Sequence, residues 1–366
     1  MKKIKILLLA VFISFGFANP QELLFQQNIP NGWKFKEYFP RALYLIQDIP
    51  GPEILTAHPS RRLLVMNKDY KIVADFVLED NWWFGGFLGE NILLCYGDET
   101  GTYAVKLIDL RGKEIYNLKN GDEGLFLEQA LMGDDFALVP DRENMDSGKI
   151  LIFDGKRGVQ RFKLEIKDSS GSLKTPHAFY LIGEGYFLLG MGATLTLKNY
   201  SETHKGLKTL WQIQNIGGNI RQLRSLNQNL IAVGYDFEDV NRQVYMAGVA
   251  IVNWRTGKIL FDKKATRRGN KESPLFRCLR NLSLWLEEDG TLILMEGDRG
   301  IALPGIARNK NTGWDEKSVR KVKLAPPKEE ILSSIIDGGK VELRGKTVIK
   351  DFGSYIRVEK RKLIYE

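Results

Sequence analysis

The strongest constraint in this sequence is a rhythm of short apolar runs, each introduced by turn residues. They read "GPEILTA" (51–57), "GENILLCYGD" (89–98), "GDDFALVPD" (133–141), "GEGYFLLGMG" (183–192), "NQNLIAVGYD" (227–236), "EDGTLILMEGD" (288–298) and "DGGKVEL" (337–343). Taking the runs to begin at Ile54, Ile92, Phe136, Phe187, Leu230, Leu292 and Val341 gives steps of 38 to 62 residues. Self-similarity on this scale marks a repeat architecture, whose single unit cannot bury its own apolar face.

Each run is followed by a strand, a polar turn and a second strand. The copies are "LLVMNKDYKIVADF" (63–76), "VKLIDLRGKEIYNL" (105–118), "ILIFDGKRGVQRF" (150–162) and "VAIVNWRTGKILF" (249–261). Gly112 and Gly257 supply the positive-φ positions that tight hairpins need. Ahead of the runs lies another strand: "WWFGGFL" (82–88), "LFLEQALM" (125–132), "AFYLIG" (178–183) and "LSLWLEE" (282–288). Four strands per repeat predict an all-β propeller of four-stranded blades, seven in number, with six or eight as alternatives. Two stacked β-sandwiches are the rival architecture, and the constant motif order argues against them. Long amphipathic helices are absent from the pattern, "KEEILSSII" (328–336) being the one short candidate. The strand-like ends, 23–39 and 356–366, are expected to pair within one blade and hide each other's edges.

The first 18 residues read as an export signal and stand apart from the fold. Lys2, Lys3 and Lys5 precede an apolar stretch, Ile6 to Phe17, too short for the ~20 residues of a membrane span. Gly16 and Ala18 are the small residues a signal peptidase requires, so the mature chain is expected to begin at Asn19 and to be periplasmic or secreted. Residues 19–366 are then a single propeller domain. No later segment is long and apolar enough to span a membrane. The two cysteines, Cys95 and Cys278, cannot make a disulfide framework, and they are expected to stay unpaired in different repeats. With 43% apolar residues, the chain can build a core instead.

"IVNWRTGKILF" and "LIDLRGKEIYNL" resemble the quinoprotein-type propeller repeat, in which a small or acidic residue precedes Thr-Gly-Lys, an apolar pair and Trp. The matching positions are Asn253, Thr256, Gly257, Lys258, Ile259 and Leu260, with Phe261 in the Trp place. In the second copy they are Asp109, Gly112, Lys113 and Ile115, with Tyr116 as the aromatic. The resemblance implies a propeller of the non-catalytic branch. A quinone enzyme of that kind carries vicinal cysteines, which this chain lacks, so no cofactor is expected. Residues 47–67 are also similar to the FG-GAP type of repeat, but hold too few acidic residues for its calcium loop.

Four aspartates occupy related places after their apolar runs: Asp98, Asp141, Asp236 and Asp298. At the mouth of a central channel they would bind a cation or act as an acid–base pair. The plain alternative is turn chemistry, because Asp accepts local backbone N–H bonds. His58, His177 and His204 fall at unrelated positions and form no metal spacing, so no metal site is expected. Trp82, Trp83 and Phe84 offer a stacking platform or, as alternation suggests, core packing on both faces of a strand.

The formal charge is +8, and it is uneven. Residues 301–366 hold 15 Lys+Arg against 9 Asp+Glu. The stretch "KKATRRGNKESPLFRCLR" (263–280) carries Lys263, Lys264, Arg267, Arg268, Lys271, Arg277 and Arg280 against Glu272 alone. It reads as a basic insertion at about 262–280, either a solvated loop or a landing patch for an acidic protein or anionic lipid head groups. Nucleic acid is not expected, since no aromatics interleave with the charges. The leading reading is an exported non-catalytic propeller acting as a binding or scaffolding module. The alternative is a carboxylate-based enzyme, a carbohydrate lyase or hydrolase, with its site at the channel mouth.

Overall fold

The computed structural model describes residues 21–366 apart from 48–59, 79–80, 99–100, 120–124, 141–147, 168–173, 202–205, 240–243, 269–272, 305–318, 326–339 and 345. The expected export signal, the helix candidate at 328–336, Ile54, His58, Asp141, His204 and Lys271 therefore lie outside the described residues.

A first strand, β1 (Gln21–Asn28), precedes six blades of antiparallel strands. Blade one comprises β2 to β5 (Trp33–Phe39, Ala42–Gln47, Arg61–Met66, Ile72–Leu78). Blade two holds β6 to β9 (Trp82–Leu88, Asn91–Asp98, Gly101–Ile108, Glu114–Lys119). In blade three are β10 to β13 (Leu125–Gln129, Phe136–Pro140, Lys149–Asp154, Val159–Glu165). Next comes blade four, β14 to β17 (Ala178–Gly183, Tyr186–Met191, Thr194–Ser201, Gly206–Ile213). Blade five is β18 to β21 (Asn219–Ser225, Leu230–Asp239, Val244–Asn253, Lys258–Arg268). A helix, α1 (Pro274–Arg280), leads to blade six, β22 to β25 (Leu284–Leu286, Leu292–Glu296, Arg299–Leu303, Arg320–Ala325).

The seventh blade is made from both ends of the chain. It runs β26 (Lys340–Arg344), β27 (Thr347–Asp351), β28 (Tyr355–Tyr365), and β1 pairs along β28 as its fourth strand. The expected pairing of the ends is thus present. The far half of β28 does something further: Lys362 to Tyr365 pair with β25 and add a fifth strand to blade six.

Seven apolar layers lie between the seven blades. Two pairs of blades are each hydrogen-bonded into one sheet, blades two and three through β8 and β10 and blades six and seven through β28. Tyr44 and Leu63 face Ile92 and Leu94 between blades one and two, while Leu43 and Leu64 on the other side meet Ile349 and Val358 of blade seven. Leu93 packs on Phe136, Ile152 on Leu181, Leu188 on Ile231, and Val249 on Leu292. Leu363 of β28 covers Ile293 and Leu324. Alternate residues of one strand serve opposite layers, as the two-residue period of a strand requires. Each fully buried Leu, Ile or Phe stabilises by roughly 1.5–3 kcal/mol, and no sheet keeps that burial without its neighbours. Trp82 and Phe84 belong to this core, at 8% and 7% exposure, rather than to a stacking platform.

The repeated hairpin has a local cause. Asn67, Asp109, Asp154 and Asn253 each end a third strand, and each side-chain oxygen accepts backbone N–H bonds from the turn that follows. Donors are Asp69 and Lys71, Arg111 and Lys113, Lys156 and Arg157, and Arg255 and Thr256, respectively. The turn then closes through a left-handed residue: Tyr70, Gly112, Gly158 or Gly257. That geometry suits Asx side chains and glycine. An aromatic of one blade docks on the next blade's turn. Phe76 meets Gly112, Tyr116 lies on Gly158 and donates to the Gly155 carbonyl, and Trp211 lies on Gly257 and donates to the Trp254 carbonyl.

Two of the seven expected run starts shift. The second strand of blade one is Ala42–Gln47, not the run at Ile54, and Val341 lies in the first strand of blade seven, whose second strand is Thr347–Asp351. A short apolar run after glycine looks alike in either strand. The described helix also differs from the expected one: Ser273 caps it, its Oγ accepting from Phe276 N at 3.1 Å, and Pro274 opens it.

Candidate functional site

Fourth strands form the rim. β5, β9 and β13 are exposed at every other residue or more, whereas second and third strands are almost wholly buried. First strands therefore line the centre. Against this regular plan blade five stands out. β19, β20 and β21 have 10, 10 and 11 residues, while no strand of blades one to four exceeds eight.

The extra length contains the basic stretch. Lys263, Lys264, Arg267 and Arg268 lie on β21, paired with Val249, Gly248, Tyr245 and Val244. The segment expected to be a loop is thus a strand as far as Arg268 and, from Pro274, a helix. Lys and Arg beside Thr and Ala carry little strand signal in a sequence, so the extension is set by pairing with β20 rather than by propensity. Lys263 and Arg267 share the face that meets α1. Arg267 lies over Tyr245 at 4.3 Å and Phe276 at 5.9 Å, a cation–π stack that fixes its height on the sheet. Phe276, Leu279 and Leu282 pin the helix to Ala247 and Val249. Asp262, Lys264 and Thr266 share the opposite face and are exposed.

One glycine shapes that opposite face. Tyr235 of β19 is fully buried; its ring lies across Gly248 of β20 and its hydroxyl donates to Asp262 of β21. Burial first, then the neighbouring Asp262 carboxylate, raise the phenol above its ordinary pKa. Asp262 is the single acidic residue of β21, and it is engaged.

The acidic residues of blade five sit two strands inward. Asp236, Glu238 and Asp239 lie on β19, roughly 10 Å from β21 at ~4.8 Å per strand. Asp236 meets Arg221 Nε at 2.8 Å, and Arg221 also donates to the Arg280 carbonyl. Burial pushes the Asp236 carboxyl up, against the opposing pull of Arg221 and Arg280. Acidic residues thus gather on β19 and basic ones on the outer β21, while the innermost β18 carries Arg221 and Arg224.

The other carboxylates expected at the channel mouth go separate ways. Asp298 lies in the turn between β23 and β24 and meets Arg361 at 3.0 Å. Asp98 ends β7 opposite Gly101. Asp236 and Asp298 each answer to their own arginine, and among the described residues no three His, Cys, Asp or Glu side chains gather as a metal site. His177 holds a turn, its Nδ1 accepting from Gly192 N at 2.9 Å. A cleft of about 240 Å³ opens between blades three and four, lined by Phe126, Glu128, Pro140, Pro176 and Phe179. Sequence reasoning does not single out these residues. Their signal is the pair of prolines flanking strand ends.

No family model matches this chain, and no curated protein does. Among solved structures, the Nup133 β-propeller domain of Vanderwaltozyma polyspora is similar at 7% identity and a TM-score of 0.44, covering 93% of this chain and 97% of that one. Hsv2 of Kluyvelomyces marxianus is similar at 10% identity and a TM-score of 0.32, covering 65% of this chain and 74% of that one. The propeller itself rests on the seven blades and the seven layers between them.

Proposed function

We propose that this chain is an exported, non-catalytic propeller that binds an anionic partner through the basic outer strand of blade five, and that its repeat is of the quinoprotein type without the cofactor. The observation that carries the reading is β21, whose Lys263, Lys264, Arg267 and Arg268 stand on an extension that blades one to four lack. Core burial alone does not require this extra length. Of the carboxylates expected at the channel mouth, Asp236 and Asp298 are tied to arginines, which favours a structural role over acid–base work. The partner is an acidic protein or an anionic head-group surface rather than nucleic acid.

Replacing Lys263, Lys264, Arg267 and Arg268 with serine tests it. Surface substitutions usually cost within about 0.5 kcal/mol each, and losing the Arg267 stack on Tyr245 and Phe276 adds about 0.5–2 kcal/mol, which leaves the fold standing. Binding to poly-glutamate or to phosphatidylglycerol vesicles is expected to be lost, and in the parent to weaken as salt shortens the Debye length below about 8 Å. Equal binding by parent and variant at low salt defeats the proposal. Export is tested by the mass of the protein recovered outside the cytoplasm, which should begin at Asn19.

A further inference from the structure

Among the described residues no strand pairs with the outer edge of β21, and that edge offers more than charge. β21 pairs with β20 along one side, from Val244–Arg268 to Asn253–Lys258, and it is the last strand of its sheet. Its other side is an edge of 11 residues, about 37 Å at ~3.4 Å per residue. An edge of that length presents a row of backbone N–H and C=O groups, which only another backbone can satisfy in register. The neighbouring blade shows the outcome. The outer edge of β25 has taken a fifth strand, residues 362–365 of β28, in antiparallel pairing.

We infer that β21 is a strand-addition site for an extended acidic segment of a partner protein, an inference that rests on the basic-strand reading above. β21 carries Lys258, Lys263, Lys264, Arg267 and Arg268 against Asp262, and Asp262 accepts from Tyr235. The basic residues occur on both faces of the strand, Lys263 and Arg267 on one, Lys264 on the other. A docked strand would project side chains to both faces, so carboxylates at neighbouring positions meet cations either way. A lipid surface would meet one face, leaving the other row unused and the edge unpaired. Charge also sets the selectivity. The same row repels a second β21 and so disfavours edge-to-edge association of this chain with itself.

The probe is a synthetic peptide of alternating Glu and Val, compared with the same peptide N-methylated at every residue, which leaves neither edge a backbone donor. Both carry the same charge, and only the first can complete a ladder. The unmodified peptide should bind the parent protein roughly tenfold or more tightly than the methylated one. It should also slow amide hydrogen exchange in 259–268, and it should lose affinity for the four-serine variant. Equal affinity of the two peptides overturns strand addition and leaves the anionic-partner reading standing. Failure of both peptides alongside binding to phosphatidylglycerol vesicles overturns it in favour of lipid. Undiminished binding of every probe by the four-serine variant removes the basic-strand reading and this inference together.

Discussion

Gly248→Ala puts a methyl group where the Tyr235 ring lies. A Cβ at this position would overlap Cζ, Cε2 and the hydroxyl oxygen of that tyrosine. The obstacle is a fully buried ring held between strands, not the end of a flexible side chain. Relief therefore requires the ring to leave its place, and two costs follow. Overpacking a tight core costs about 1–3 kcal/mol. Separating the hydroxyl from the Asp262 carboxylate forfeits a charge-assisted bond, itself about 1.5–3 kcal/mol. Their sum is roughly 2–6 kcal/mol. At the ~2–4 °C per kcal/mol usual for 150–250 residues, and less for a longer chain, the Tm should fall by several degrees. The assay is a thermal double-mutant cycle with Tyr235→Leu, which removes the offending ring. If the ring is the obstacle, Gly248→Ala should cost much less in the Tyr235→Leu background, a coupling of at least ~1 kcal/mol. Additive effects, or a parent-like Tm for Gly248→Ala alone, refute the packing of the Tyr235 ring across Gly248.

Arg361→Met should destabilise by about 3–5 kcal/mol, because it leaves the nearly buried Asp298 without its cation; adding Asp298→Leu should restore most of the loss in urea titrations. Cys95 and Cys278 are buried and unpaired, and burial pushes their thiols up to about 12 and about 11. The native protein at pH 7 should therefore resist a thiol reagent, and denatured unreduced protein should consume two equivalents. Burial also lifts the Tyr44 phenol to about 12 and raises Tyr116 and Tyr235. The folded state holds these protons more tightly than the unfolded chain, whose tyrosines titrate near ~10. Their stabilisation is complete below that pH and is lost as pH climbs from 10 toward 12, so unfolding and tyrosinate absorbance should rise together.

Much of the plan was legible because its cause is local. The Asx residue and the left-handed residue behind it recur wherever a third strand turns into a fourth, so Asp109–Gly112 and Asn253–Gly257 announce their hairpins without knowledge of the fold. Phase was less legible. Apolar runs in first and second strands look the same, and only pairing shows that Val341 belongs to a first strand. The basic stretch was found by composition but misjudged in form. Lys, Thr and Arg become a strand there because β20 offers a partner and Tyr245 and Phe276 seat Arg267, contacts that no local pattern encodes. The four aspartates share a sequence position without sharing a site, since the arginines that claim Asp236 and Asp298 come from 221 and 361.

The closing blade also dictates an order of events. β1 is the first described strand and its partner β28 the last, so this pairing can form only after the strands of all the other blades have been made. Until then β1 waits with one apolar side, Phe25 included, uncovered, and the sheets on either side of the gap keep an open flank. Contacts of such separation slow folding far more than they cost in loop entropy. It follows that a circular permutant joining 366 to 21 and opened between blades should fold faster, with the same seven layers and no waiting strand.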